Sequence, residues 1–369
     1  MLLAGAPWRQ LATGSSVRRH YRGGIPTAAL LSFRLGGPDG VAIEAAKWTN
    51  ALVDLGFSIT TVAGEGSVDH RLPGLAIGAE SPPTAAELGS ALDDADLVVV
   101  ENLCSLPLNP AAADLVATTL AGRPAVLHHH DLPWQRPQFA RHGPPPDDPY
   151  WSHITINELS RAQLADRGIT ATTVYNTFDT RRSVGNDAAA RTAVRRTLGL
   201  TDQDRLVVQP TRALPRKNVA AGMAAATDLG ATYWLVGAAE DGYGPELERL
   251  VEAAVGPVVL GWPDGIPVGI GAAYAAADVI ALPSTWEGFG NPSVESAVHR
   301  RPLLIGPYPV AAELAAFGFR WFGLDDLASL NTWLRAPDDG LLDHNWSVAD
   351  THFSDRHLPS RLASVLPAI

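Results

Sequence analysis

Cysteine is all but missing: Cys104 stands alone in 369 residues, which excludes a disulfide within the chain. Lysine is nearly as scarce, with Lys47 and Lys217 the only two among 28 basic residues. High-GC codon usage explains that bias, and it makes a lysine inside a motif unusually informative. No apolar run reaches the ~18 residues needed to cross a bilayer. Positive charge is in deficit, at a net −11, so a protein that binds nucleic acid by releasing counterions would have to gather its cations in one patch. No such patch occurs, and a nucleic-acid partner is not expected. What is present is 46% hydrophobic and 18% charged residues with ten Trp, a globular composition long enough for two domains or one large one. A reducing, cytoplasmic setting is expected.

The first stretch is a unit of its own, with Arg9, Arg18, Arg19, Arg22 and Arg34 and no acid among its 34 residues. Met1 to Ala6 is too short for a signal-peptide core and precedes the arginines. Residues 1–26 therefore read as a basic, disordered arm or as a start codon placed too far upstream; peripheral contact with a membrane is the minor reading. From Thr27 an apolar strand leads into Gly36-Gly37-Pro38-Asp39-Gly40, then a helical pattern through Leu55 and a strand from Phe57 to Val62. Asp96 to Val100, Pro124 to His128, Ile154 to Ile156 and Thr172 to Val174 continue the strands. A second alternating series runs from Ala188 to Ile305. Short apolar strands alternating with helices are what a parallel sheet covered on both faces requires. The fold class is α/β, with two doubly wound domains over 27–180 and 187–345. Residues 346–369 read as a closing helix that crosses back to the first domain. Ligands in such sheets sit at the carboxyl ends of strands, here in the cleft between two facing sheets.

Arg212 and Lys217 share the loop Gln209 to Asn218, after one strand and before a helix. An arginine fork, a lysine point charge and a helix amino terminus together suit a pyrophosphate; a solvated basic turn capped by Asn218 is the plain alternative. The segment Glu287-Gly288-Phe289-Gly290-Asn291-Pro292-Ser293-Val294-Glu295 has more independent parts. Its glycines allow close backbone approach, and Asn291-Pro292 reads as a side-chain cap with proline in the first turn. Its two glutamates, seven residues apart in the interval between them, can grip different parts of one elongated ligand. Each glutamate alone could be a solvated acid or a complement to the helix dipole. A hydrolase acid/base pair is also conceivable, but a hydrolase needs no adjoining cationic cradle. His128-His129-His130 ends a strand; adjacent strand residues face opposite ways and no fourth ligand is spaced nearby, so no metal is expected. His128 and His129 read as packing residues.

These segments resemble the retaining glycosyltransferases of family 4, which have the GT-B architecture. The likeness lies in Glu287 to Glu295, in the Arg212 and Lys217-Asn218 turn, in the glycine loop at Asp39-Gly40, and in Val174 to Asp179 between the domains. Asp39 stands where that family commonly has the first of two glycines, and Tyr175 and Thr177 also depart from its pattern. The resemblance implies that Arg212 and Lys217 hold a donor diphosphate, and that Glu287 with the amides of Gly288, Phe289 and Gly290 contacts the donor sugar. It implies too that Glu295, beside Asn291 and Val294, binds the nucleoside, and that His130 lies by the sugar. Asp39, Gly40, Asp131 and Trp134 are acceptor-side candidates, with capping for Asp39 and Asp131 and loop packing for Trp134 as the alternatives. The implied activity is hexosyl transfer from a nucleotide diphosphate sugar, UDP- or GDP-linked, to an acceptor hydroxyl on a sugar, glycoside or lipid-linked molecule, without prosthetic group or metal. An epimerase or hydrolase of the same architecture, or a protein that binds nucleotide sugar without transfer, stays open, as does the oligomeric state.

Overall fold

The computed structural model describes residues 24–37, 39–181, 188–266 and 269–368. Most of the basic arm and residues 182–187 of the segment joining the two halves lie outside them. The first sheet is built from β1 (Thr27–Arg34), β2 (Ser58–Glu65), β3 (His70–Arg71), β4 (Leu97–Glu101), β5 (Ala125–His129), β6 (Trp151–Thr155) and β7 (Ala171–Thr173). Its strands are parallel, in the order β3-β2-β1-β4-β5-β6-β7. The helices of this half are α1 (Gly40–Asp54), α2 (Ala85–Ala91), α3 (Pro110–Leu120) and α4 (Glu158–Ala165). The second sheet, also parallel, is ordered β10-β9-β8-β11-β12-β13. Its strands are β8 (Arg205–Gln209), β9 (Ala231–Leu235), β10 (Val258–Leu260), β11 (Val279–Leu282), β12 (Leu303–Ile305) and β13 (Phe322–Gly323). Helices α5 (Ala188–Thr197), α6 (Val219–Asp228), α7 (Gly244–Glu252), α8 (Ile270–Ala276), α9 (Pro292–Val298), α10 (Pro309–Ala315) and α11 (Leu327–Arg335) accompany it.

Each strand feeds two cores because its side chains alternate. Ala29, Leu31 and Phe33 of β1 enter the layer with α3, while Ala28 and Leu30 enter the layer with Trp48 of α1. In the second half Ile280 and Leu282 of β11 go one way and Val279 and Ala281 the other. Strand order reverses between β1 and β4 and again between β8 and β11, and those two switch points place the cleft.

The tail differs from the single helix expected over 346–366. It is two helices, α12 (Asp339–Phe353) and α13 (Leu358–Val365), separated at Ser354, whose backbone is extended. Two forces break it. The Phe178 N–H donates to the Phe353 carbonyl at 2.8 Å and the Asp355 N–H to the Phe178 carbonyl at 2.9 Å, and Pro359 favours a fresh helix start. α12 belongs to the second half, with Ala349 and Phe353 in its core; Leu358 and Leu362 of α13 join the Trp48 core of the first. No described helix is long and apolar enough to cross a membrane.

Candidate active site

Lys217 closes a single 3₁₀ turn, Pro215–Lys217, and Asn218 turns the chain into α6 with φ of +49°. This geometry aims Lys217 inward to the loop after β11. Its Nζ donates to Glu287 Oε1 at 2.6 Å and Oε2 at 2.8 Å. Ser284 Oγ donates to Oε1 at 2.6 Å, and Arg216 Nη1 to Oε2 at 3.0 Å. Glu287 is 5% exposed. Burial alone would push its carboxyl up, but the charges of Lys217 and Arg216 and the hydrogen bonds of Lys217 and Ser284 hold it below the ordinary carboxylate range. Arg212, on the same loop, reaches the rim instead and pairs with Glu240 at 2.6 Å, half-exposed.

The glycine turn is shaped by what it touches. A Cβ on Gly288 would lie 2.6 Å from the His130 carbonyl oxygen and 3.3 Å from Asp131 Oδ1, so the two halves of the molecule meet there with backbone against backbone. The Gly288 carbonyl accepts a hydrogen bond from Asn157 Nδ2. Gly290 has φ of +87°, and a Cβ on it would collide with Tyr308. Phe289 is buried against Phe178 and Phe353. Asn291 corrects the expected cap: its dihedrals are already helical, so its side chain cannot fold back on the amides of α9, and Oδ1 accepts from Asn176 Nδ2 across the halves at 3.0 Å. Val294 is buried in the first turn. Glu295 Oε2 accepts from the Tyr274 hydroxyl at 2.6 Å; burial raises its carboxyl against that hydrogen bond and the nearby Lys47 charge.

Across the cleft His130 follows β5. Alternation separates the three histidines as expected. His129 faces Ser105 Oγ at 2.6 Å and His153 at 2.9 Å. His128 and His130 turn the other way, to Glu101 at the end of β4. These three groups could hold a metal ion, their ligand atoms lying within 4.8 Å of one another, a grouping that the alternation of the histidines alone did not suggest because Glu101 comes from the neighbouring strand. Both imidazoles lie within hydrogen-bond distance of Glu101 Oε2, at 2.8 Å and 2.9 Å. Asp39 caps α1, accepting from the Val41 and Ala42 N–H groups, and pairs with Arg34 at 2.9 Å; Gly40 is the first residue of that helix. Asp131 pairs with Arg136 at 2.8 Å beside the glycine turn. Trp134 donates to Gln163 and carries the Arg167 guanidinium 3.6 Å over its ring, the contacts of loop packing.

Lys217, Glu287, Gly288, His130 and Asp131 are thus brought together, while Arg212, Asp39 and Trp134 are engaged elsewhere. Sequence reasoning passed over Arg216, Ser284, Asn157, Tyr274 and Glu101. Arg216 adjoins the scarce lysine, and Glu101 is an acid closing a wholly apolar strand, so both left a signal.

No family model matches the chain. It is 24% identical to the mannosylglucosylglycerate synthase of Thermotoga maritima, over 92% of this chain and 99% of that protein. Among solved structures it is similar to Anabaena Alr3699/HepE in complex with UDP and glucose, with TM-score 0.68 and 19% identity over 92% of this chain and 98% of the other. The sucrose-phosphate synthase of Thermosynechococcus elongatus gives TM-score 0.68 and 14% identity over the same shares, 92% and 98%. With two parallel sheets that each reverse strand order at a switch point, and with these structural neighbours, the chain has the two-domain GT-B fold.

Proposed function

We propose that the chain transfers a hexosyl group from a nucleotide diphosphate sugar to an acceptor hydroxyl with retention of anomeric configuration, in the manner of family 4. The observation that carries this reading is the cluster of Lys217 and Arg216 on Glu287, beside the turn whose Gly288 lies against the backbone of His130. In it the cations hold the diphosphate, and their charge stabilises the leaving group as the glycosidic bond breaks. Glu287 and the amides of Gly288 to Gly290 orient the sugar hydroxyls. Glu295 binds the ribose, and Arg212 swings from Glu240 to the outer phosphate. The leaving diphosphate takes the acceptor's proton on the face from which the acceptor attacks, so the reaction needs no enzyme nucleophile and no divalent ion. The product named for the Thermotoga relative makes a mannosyl donor with a glucosylglycerate acceptor the first pair to try, and the UDP and glucose bound to HepE make UDP-glucose the second donor.

The test is a panel of UDP-, GDP-, ADP- and TDP-sugars against hydroxylated acceptors, with product configuration read by NMR and EDTA present in a parallel set. Transfer with the donor's configuration kept, insensitive to EDTA, is expected. Inversion, or sugar release at the same rate without acceptor, refutes it.

A further inference from the structure

The proposed reaction uses His130 and leaves Glu101 without a task. Glu101 is 0% exposed at the end of a strand whose other residues, Leu97 to Val100, are all apolar. Burying a carboxylate there costs several kcal/mol unless partners repay it, and a fifth apolar side chain would have filled the strand more cheaply. Its partners are two imidazoles on one oxygen, His128 Nδ1 at 2.8 Å and His130 Nε2 at 2.9 Å, while Oε1 has no partner.

An ionised carboxylate has no proton to give, so both imidazoles must donate. His130 therefore carries a proton on Nε2, which in the neutral ring leaves the lone pair on Nδ1, an atom that makes no hydrogen bond among the described residues. His128, donating from Nδ1, has an unpartnered Nε2 sealed in the core beneath Trp48, whose ring stacks on it at 4.1 Å. The backbone of His130 is held as well. Its N–H donates to Asn102 Oδ1 at 3.1 Å, and Asn102 itself has φ of +60°. Its carbonyl is pressed against Gly288.

We propose that Glu101 is a positioning residue: it fixes His130 as the Nε2–H tautomer and presents an electron-rich Nδ1 to the donor sugar. There Nδ1 accepts a sugar O–H and stabilises positive charge developing at the anomeric centre. The sugar's place beside His130 rests on the transferase reading above; the tautomer does not.

The experiment is ¹⁵N NMR of the full chain labelled at histidine, with His130 assigned by difference from His130→Gln, together with kinetics of Glu101→Gln. A carboxamide can donate to Nε2 and reverse the tautomer. The wild-type chain is expected to show a protonated Nε2 and a lone-pair Nδ1 at His130. Glu101→Gln is expected to lose that pattern and to drop kcat by about 100-fold or more, as outer-sphere and tautomer-setting carboxylates do. KM for donor and the Kd of the free nucleotide diphosphate should move less than about twofold, since their cations sit on the other half. A Glu101→Gln/His130→Ala double variant should be no slower than His130→Ala alone. An Nδ1–H wild-type His130, an unchanged kcat in Glu101→Gln, or stoichiometric zinc held by the three groups overturns the proposal. If Glu101→Gln does not fold, the wild-type spectrum still decides the tautomer. A chain with the Nε2–H tautomer that turns over no donor upholds the positioning and counts against the transferase reading alone.

Discussion

Lys217 is the cation on which Glu287 leans most, with two short hydrogen bonds between side chains that are both largely buried. Lys217→Ala leaves a buried carboxylate with only Arg216 and Ser284. Loss of about 3 kcal/mol of stability is expected in urea unfolding, near the lower end for a broken buried pair because Arg216 remains, together with a fall in kcat of about 10²–10³-fold. Pairing Lys217→Met with Glu287→Gln should restore most of the stability and none of the turnover. Other residues set the response to acid. Burial keeps His129 well below the ordinary histidine value, helped by the charge of His153, and burial with Arg301 holds His299 at about 4. Protons then bind the unfolded chain better than the folded one, so stability falls as pH drops below ~6.5, by up to ~1.4 kcal/mol per pH unit for each such group. Glu101 adds a second loss at lower pH: burial opposes its ionisation, yet His128 and His130 hold it at about 2, so its contribution is present above ~4.5 and lost between there and about 2. Urea midpoints measured from pH 4 to 8 should rise and then level off above ~6.5; a flat profile contradicts these assignments. At this scale Lys217 was legible as a scarce lysine in a basic loop and Glu287 as the start of a two-glutamate glycine segment. Arg216 and Glu101 left a fainter signal, because the partners that give them a role lie on neighbouring strands and loops far away in sequence.

The glycine turn after β11 works as an element through what it lacks. With no side chain at Gly288, the turn lies directly on the His130 carbonyl, and Asn157 holds its own carbonyl from the first half. Gly288→Ala would force the two backbones apart. A fall in kcat of about tenfold or more is expected, with the urea midpoint of each half within error of wild type; unchanged kcat would show that the halves do not need this contact. The alternating series from Ala188 to Ile305 was legible, since buried parallel strands write continuous apolar runs between turn residues, whereas α10, β13 and α11 beyond it were passed over. In the first half α2 and β3 were passed over too; β3 has two residues, too few for any period to show. The cap at Asn291 misled because the residue type is right for a cap and the dihedral angles are not. The break at Ser354 misled because its cause, pairing with Phe178, is tertiary, although Pro359 gave notice of it.

Over the whole molecule the halves are tied at two adjacent crossings, Phe178 beside Ser354, with Lys47 of α1 donating to the Thr177 carbonyl at the same place. Phe289 of the glycine turn packs into the aromatic group formed there by Tyr175, Phe178 and Phe353. Leu362→Ala in α13, a wholly buried position, should cost about 2–5 kcal/mol. The loss should fall on the first half: tryptophan fluorescence from Trp48 should shift at lower urea than in wild type, while nucleotide diphosphate binding survives. Loss of that binding at the same urea concentration would mean the halves unfold as one unit. The returning helix also makes the first domain discontinuous. Residues 188–353 are inserted between Thr27–Thr173 and α13, and Leu358 and Leu362 complete the core around Trp48, so that core cannot be whole on the ribosome until residues 358–365 have emerged.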